Sequence, residues 1–361
     1  MRKSIHILLV IVAFVLLTGF YKGSTVKSTI SNNTNSTTPK ACNSKLTSPA
    51  AKIGDYYPFE KDTKYMYTGT GNEYNTYSVY VDYLIGNREQ IIVNNGGTEA
   101  IKVLENKDGE LRLISSKNEI YYRENFTYQI NNNPEILLKQ PLTKGTSWTL
   151  KDGSKRTITN IKVAIKTLLA NYECIEVTTI RKEKTTKDYY AANIGLVKTL
   201  YTNDGKVTSS LSKIEERVPL AQTVKFYYPN GKNKMNYVTD KKLSFNTNDI
   251  TKKIFENYLR EVPNNNAEKL ISDNTKIKSL YLNKDNMVYL DFSKEFTQEM
   301  NTGIGYENQI LQCITNTFGD YYMVKKVYIT VEGKPYSSGD ILMKKGEAFI
   351  VDYKNTIVLT Q

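Results

Sequence analysis

The stretch KIKSLYLNKDNMVYLDFS, residues 276–293, decides the reading of the second half of this chain. Val288, Leu290 and Phe292 alternate with Tyr289 and Asp291, the period of two that gives a strand one apolar face. Lys284-Asp285-Asn286 breaks the run and reads as the turn of a hairpin. Upstream, TVKFYYPN (223–230) is a strand that ends in a Pro-Asn-Gly turn. Thr247 and Asn248 are candidate caps for a helix running to about Arg260, because short oxygen-bearing side chains accept from free N–H groups of a first turn. Pro263 blocks its extension, and Ile250, Ile254, Phe255, Tyr258 and Leu259 share one face. Downstream, Ile310, Leu311, Ile314 and Phe318 form the stripe of a second helix over roughly Ile304 to Phe318. Gly303 and Gly305 suit its entry and Gly319 suits its C-terminal cap. VKKVYITVEGKP (324–335) is the closing strand. The order is β-α-β-β-α-β, with two helices on one side of a small sheet.

Together, VKFYYPN (224–230), NMVYLDFS (286–293), GIGYENQILQCITNTFGDY (303–321) and VKKVYITVEGKPY (324–336) resemble a GerMN domain, the sporulation and spore-germination module. One departure is Glu261-Val262-Pro263, which keeps only the proline where members often carry Gly-Pro. The resemblance implies a role in spore formation or germination as a non-catalytic interaction module, with self-association as one mode. The residues themselves read as fold determinants. Asp291 is placed to bond loop backbone, and Glu307 sits in the first turn of the second helix, where a carboxylate favours the positive end of the dipole.

From Asp55 to about Arg217 the text is different: short β-branched and aromatic runs separated by turn dipeptides. Asn94-Asn95-Gly96-Gly97, Asp108-Gly109, Asp152-Gly153 and Asp204-Gly205 are hairpin signals, because Gly and Asn accept positive φ. The spacing predicts an antiparallel β-rich domain, curled as a barrel or stacked as a sandwich. PFEKDTKYMY (58–67) and PLTKGTSWTL (141–150) echo one another, each a turn opening a strand, with Tyr65 or Trp148 inserted as a core plug. YYPFEKDTKYMYTGTG, YYREN, PLTKGTSW and YYAANIGLVK resemble the β-rich domain of lipoprotein-like proteins of spore-forming Firmicutes. Tyr121-Tyr122 and Tyr189-Tyr190 admit two readings: a sugar-stacking platform, or strand neighbours with one ring inside and one outside. Glu119, Glu124 and Asp188 read as solvated or paired charges.

Composition narrows the chemistry. The chain has 361 residues, a net charge of +12 and a single histidine, His6, inside the first hydrophobic run. The portion after that run therefore lacks the imidazole that Ser-His-Asp, Cys-His and common zinc sites need. Cys42, Cys174 and Cys313 show no C-x-x-C spacing, and Cys174 and Cys313 read as small buried apolar residues. The lysines are scattered rather than gathered in a basic stripe or a recognisable module, which argues against nucleic acid and fits weak attraction to anionic wall polymers or headgroups.

Met1-Arg2-Lys3 followed by Ile5 to Phe20 reads as a signal peptide or membrane anchor; about 16 residues at ~1.5 Å each reach only about 24 Å, short of a ~30 Å hydrocarbon core. Leu17-Thr18-Gly19 precedes Phe20 where a lipoprotein would carry the lipidated cysteine, which suggests a lost lipidation site. The expected organisation is therefore a leader or anchor (1–23), a Ser/Thr/Asn-rich tether (24–54), the β-rich domain (55–217), the GerMN-like domain (218–335) and a carboxy-terminal extension with room for an extra strand (336–361). The expected protein is an α+β, extracytoplasmic, membrane-anchored or secreted scaffold of a Gram-positive spore-former, with envelope or spore-membrane proteins as partners. It is expected to use no cofactor, no metal and no catalytic residue. The alternatives are a peptidoglycan or teichoic-acid binder and, less favoured, a carboxylate-based wall hydrolase.

Overall fold

Twelve antiparallel strands build the first half of the computed structural model, which describes residues 51–359 except 72, 183, 203–206, 231, 264–266 and 301–303. The leader, the lipobox-like tripeptide, Cys42, the Asp204-Gly205 turn and Gly303 lie outside the described residues. A short helix α1 (Ile53–Tyr56) leads into β1 (Thr63–Thr70), β2 (Tyr77–Ile85), β3 (Arg88–Asn94), β4 (Glu99–Lys107), β5 (Glu110–Asn118) and β6 (Glu135–Lys139). Next come β7 (Ser147–Thr149), β8 (Lys155–Lys166), β9 (Asn171–Arg181), β10 (Lys184–Ala191), β11 (Gly195–Tyr201) and β12 (Val207–Glu216). The turn chemistry does what the dipeptides announce. Asp108 and Gly109, at φ 55° and 73°, close the β4–β5 hairpin with the positive φ values that match strand twist.

Because β12 returns to pair with β1, the sheet curls into a nearly closed barrel ordered β6-β5-β4-β3-β2-β1-β12-β11-β10-β9-β8-β7. Side chains bridge the seam between its two end strands. The Trp148 indole N–H donates to the Ile136 carbonyl at 3.0 Å, and Arg156 donates to the same carbonyl at 2.5 Å and to Glu135 at 2.8 Å. Trp148 is thus the buried plug that its turn suggested. Alternation places Tyr77, Val79 and Val81 of β2 and Glu89, Ile91 and Val93 of β3 on one interior face, and α1 adds Ile53 and Tyr56 to the apolar cluster there. The outer face of β3–β5 carries Ile92, Ile101, Val103 and Ile114 against Phe126.

One interior residue departs from this apolar pattern. Glu89 is 2% exposed, and burial, with Glu60 nearby, holds its carboxyl well above the usual range. The folded chain keeps this proton at pH values where the unfolded chain has released it, so stability falls as pH rises above the ordinary carboxylate range. Glu89→Gln should therefore raise the melting temperature. The gain should grow from pH 5 to pH 7, at about 1.4 kcal/mol per pH unit until the folded-state carboxyl ionises; a constant gap between the two melting curves would contradict the assignment.

The second half opens with a hairpin of β13 (Leu220–Pro229) and β14 (Asn236–Phe245). Then follow α2 (Thr251–Arg260), β15 (Ile277–Leu282), β16 (Val288–Phe292), α3 (Glu295–Gln298), α4 (Ile304–Tyr321), β17 (Lys326–Val331), β18 (Lys334–Pro335), β19 (Phe349–Ile350) and β20 (Thr356–Val358). The expected β-α-β-β-α-β succession is present, with β14 added. That strand, NYVTDKKLSF, carries Asp240, Lys241 and Lys242 at its centre, so its apolar alternation is weak. The strands also divide into two sheets, β13-β14-β20 and β15-β16-β17-β18 with β19 on β17.

Helix α4 joins them. Cys313 through Phe318 are all buried, including Thr315, Asn316 and Thr317, as expected of a helix covered on every side. The Tyr227 amide of β13 donates to Thr317 Oγ1 at 3.1 Å, while the carboxy-terminal segment crosses another face. There the Asn316 side chain donates to the Asp352 carbonyl (2.7 Å) and accepts from the Asp352 amide (3.0 Å). Gly319 is inside this helix rather than at its cap; Met323, at φ 57°, takes the left-handed position beyond the helix end. The glycine is needed for space, because a Cβ there would lie 2.2 Å from Val351 Cγ2 and 3.0 Å from the Val324 carbonyl. Gly319→Ala should cost about 1–3 kcal/mol in urea unfolding, as overpacked sites do, despite alanine's better helix propensity. A stabilised variant would show that the strand crossing can move aside freely.

Candidate functional site at the junction of barrel and hairpin

Strand β1 pairs with only part of β2, from Lys64↔Tyr80 to Tyr67↔Tyr77, and leaves the edge beyond Tyr80 without a strand partner on that side. Backbone polar groups there need partners. The segment after β14 supplies them. Thr247 Oγ1 donates to the Val81 carbonyl (2.6 Å), the Asn248 amide to the Asp82 carbonyl (3.0 Å), and Asn248 Oδ1 and Nδ2 bond the Leu84 amide (2.8 Å) and carbonyl (3.0 Å). Thr247 also exchanges two hydrogen bonds with Asp62, at 2.6 and 2.8 Å. Neither residue caps the helix: α2 begins at Thr251 after Ile250, with no side-chain cap. The two candidate caps instead attach the second half of the chain to the barrel.

At the centre of this contact lies Arg123, in the loop after β5, fully buried beside a fully buried Asp82. Its Nε donates to Asp82 Oδ1 at 2.5 Å, and its terminal nitrogens donate to the carbonyls of Asp249, Asn246 and Asp82. The guanidinium lies over the rings of Tyr83 (4.4 Å) and Phe245 (4.9 Å). Gln90 donates to Asp82 Oδ2 (2.7 Å) and to the Glu124 carbonyl (2.8 Å). The Arg123 amide donates to the Tyr321 hydroxyl (2.8 Å), at the end of α4, which donates onward to Gln222. Burial pushes the Asp82 carboxyl up; Arg123 and the Gln90 amide oppose it.

Beside this lock a groove of about 460 Å³ opens between the two halves, lined among others by Tyr83, Ile85, Ile250, Lys252, Leu280 and Tyr281. Ile85, Ile250 and Tyr281 are 48%, 50% and 42% exposed, an apolar rim on an otherwise polar surface. The aromatic pairs are not a stacking platform. Tyr189 and Tyr190 are both buried, because the ladder slips between them and each ring joins a different apolar cluster. Tyr122 packs on Tyr322 at 5.0 Å while Tyr121 is exposed, the one-in, one-out arrangement.

Glu119 is exposed, Asp188 accepts from Thr199 at 2.7 Å, and Glu124, half-buried, has its carboxyl raised by burial. Asp291 accepts from Thr330 Oγ1 (2.6 Å) and from the Gly333 amide (2.8 Å), the loop-bonding role its position suggested. Glu307 accepts from the Tyr336 hydroxyl at 2.6 Å, a partner 29 residues away that its helix position did not reveal. Cys174 and Cys313 are both buried, and burial pushes the Cys313 thiol well up, which disfavours a reactive thiolate. Among the described residues no group of three or more His, Cys, Asp or Glu is placed to hold a metal ion, and no helix is long and apolar enough to cross a membrane.

Residues 225–337 match the sequence model of the Germane family, described as sporulation and spore germination. This chain carries a Germane domain. The domain spans β13 through β18, so the Germane hairpin is the element held against the barrel by Arg123. Among solved structures, the chain is similar to the tandem GerMN domains of the sporulation protein GerM from Bacillus subtilis, at 23% identity over 32% of this chain and 41% of that one, with a TM-score of 0.26. The first GerMN domain of the same protein matches at 22% identity over 32% of this chain and 86% of that one, TM-score 0.25. A protein with a YmcC-like fold from Bacteroides fragilis matches at 13% identity over 45% of this chain and 99% of that one, TM-score 0.26. This chain thus spans about two fifths of the tandem GerM protein. No curated protein matches it.

Arg123→Ala should cost about 3–5 kcal/mol in urea unfolding, because it strands a buried carboxylate and frees the carbonyls of Asn246 and Asp249. Asp82→Asn should cost a similar amount, since it leaves the guanidinium, which cannot shed its charge, buried without a counterion. Arg123→Ala should also speed protease cleavage at residues 217–219, between β12 and β13; a loss below about 1 kcal/mol in either variant would refute the role given to the buried pair.

Proposed function

We propose that this protein is a non-catalytic envelope scaffold that works in sporulation or spore germination, outside the cytoplasmic membrane, with the Germane domain as its interaction module. The family match over residues 225–337 is the observation that carries this reading. The geometry supports it in a second way. The barrel and the Germane hairpin share buried hydrogen bonds, among them those that Arg123 gives to the carbonyls after β14, so the two parts present one continuous surface to a partner. The groove rim of Ile85, Ile250 and Tyr281 is the apolar part of that surface nearest the junction. An apolar centre with polar surroundings is the usual anatomy of a protein contact.

The expected outcome in the native host is expression confined to sporulation, and a deletion strain defective in spore formation or germination. Ile250→Asp with Tyr281→Asp should reproduce that defect while the purified double variant keeps the wild-type melting temperature. Expression in growing cells with no spore phenotype would overturn the reading. The net charge of +12 favours a second one, binding of an anionic wall polymer. Pull-down on purified cell wall that is lost between 50 and 300 mM salt, roughly the range over which screening lengths fall below 10 Å, would support that alternative.

A further inference from the structure

We propose that the barrel interior is a binding site for one small organic ammonium ion. The cavity measures about 270 Å³ and is bounded by Tyr57 and Pro58 just after α1, and by Tyr65, Tyr67, Tyr77, Tyr190 and Tyr201 among the strand residues. At about 30 Å³ per water-sized group, that volume suits a molecule of roughly nine non-hydrogen atoms. Tyr201, on the lining, is 41% exposed and so connects the cavity to the surface.

The lining holds a carboxyl that nothing in the barrel uses. Glu89 projects into the cavity from β3, almost wholly buried, with no hydrogen-bond or ion-pair partner among the described residues. Its electrostatic neighbour is Glu60, of the same sign. The basic group on the lining, Lys102, is set against Glu135 and Asp188, and so does not serve as Glu89's counterion. A buried polar group without a partner costs stability, and one aimed into a cavity finds its partner in what the cavity takes up. Around it stand tyrosine rings: Tyr65 and Tyr67, the latter stacked on Tyr77 at 4.6 Å with its own hydroxyl given to the Leu196 carbonyl at 2.7 Å. A buried carboxyl set among aromatic rings becomes complementary to an ammonium head once it ionises, through charge with cation–π attraction beside it. Val79, Val81, Ile91 and Leu104 provide an apolar wall for the body of the molecule. A neutral ligand would meet Glu89 only as a protonated carboxyl, and an acidic one would add a third like charge beside Glu89 and Glu60.

Binding transfers charge in a defined way. The ammonium pairs with Glu89, the carboxyl ionises, and its proton passes to solvent; Glu60, Tyr57, Tyr65 and Tyr67 act on it electrostatically, and Lys102, Tyr77, Tyr190 and Tyr201 are the other titratable groups on the lining. The test uses the full chain and 2-phenylethylammonium chloride, with 2-phenylethanol as the neutral match of equal size, in isothermal titration calorimetry at pH 7. The ammonium should bind once per chain and at least tenfold more tightly than the alcohol. Its apparent enthalpy should differ between buffers of unequal ionisation enthalpy, reporting proton release. Glu89→Gln should weaken the ammonium at least tenfold and abolish the release, while leaving the alcohol within about threefold. No saturable binding of the ammonium, equal affinity for the alcohol, or proton-neutral binding to the unmodified chain each overturn the proposal, and the last needs no variant to fold.

Discussion

A fully buried arginine joins the two halves of this protein, and most of the tertiary arrangement follows from satisfying it. Arg123 brings a permanent charge into a site without water, so each of its donors must find an acceptor. Asp82 supplies the charge, and the carbonyls of Asn246 and Asp249 supply the remaining lone pairs. Those carbonyls are in place only if the chain after β14 lies along the free edge of β2, where Thr247 and Asn248 hold it. The Germane hairpin is therefore fastened to the barrel wall rather than hung from the short connection at residues 217–219. The consequence for function is geometric: a partner that grips one half meets the other in a set orientation.

The barrel shows the opposite economy. Its walls are built from alternating apolar residues, its seam is bridged by Trp148 and Arg156, and α1 packs Ile53 and Tyr56 into its apolar interior. A core assembled only for stability would fill the interior with aliphatic side chains. Here tyrosines hold open a cavity, and Glu89 sits in it at a cost to stability that rises with pH. Local sacrifices of this kind are where folds most often carry ligand sites.

Much of the Germane half was legible in the sequence. Val288, Leu290 and Phe292 alternate as a strand, Lys284 to Asn286 turn, and Ile310, Leu311, Ile314 and Phe318 stripe a helix, because each signal is complete within a dozen residues. Strand β14 was not, since its central Asp240, Lys241 and Lys242 dilute the alternation and its pairing with β13 rather than its composition makes it a strand. Gly319 was read by the commonest use of a glycine near a helix end, while its actual use depends on Val351, a residue 32 positions away along the chain. For the candidate site the signals were present but ambiguous: Asp82 interrupts an apolar strand, and Glu89 stands directly before Gln90-Ile91-Ile92, as many solvent-facing carboxylates do.

The sequence by itself determined the fold class, the hairpin turns, the two helices, the family of the second domain and the lack of imidazole beyond His6. Those properties reside in composition and in short-range periodicity, which backbone geometry imposes wherever the segment finds itself. Only the tertiary structure decided which side of each strand became interior, that Thr247 and Asn248 bind the barrel instead of capping a helix, and that Arg123 meets Asp82 and Asp249 across 41 and 126 residues. Burial, charge pairing and cavity shape are properties of surfaces brought together by folding, and no window along the chain contains both members of such a pair.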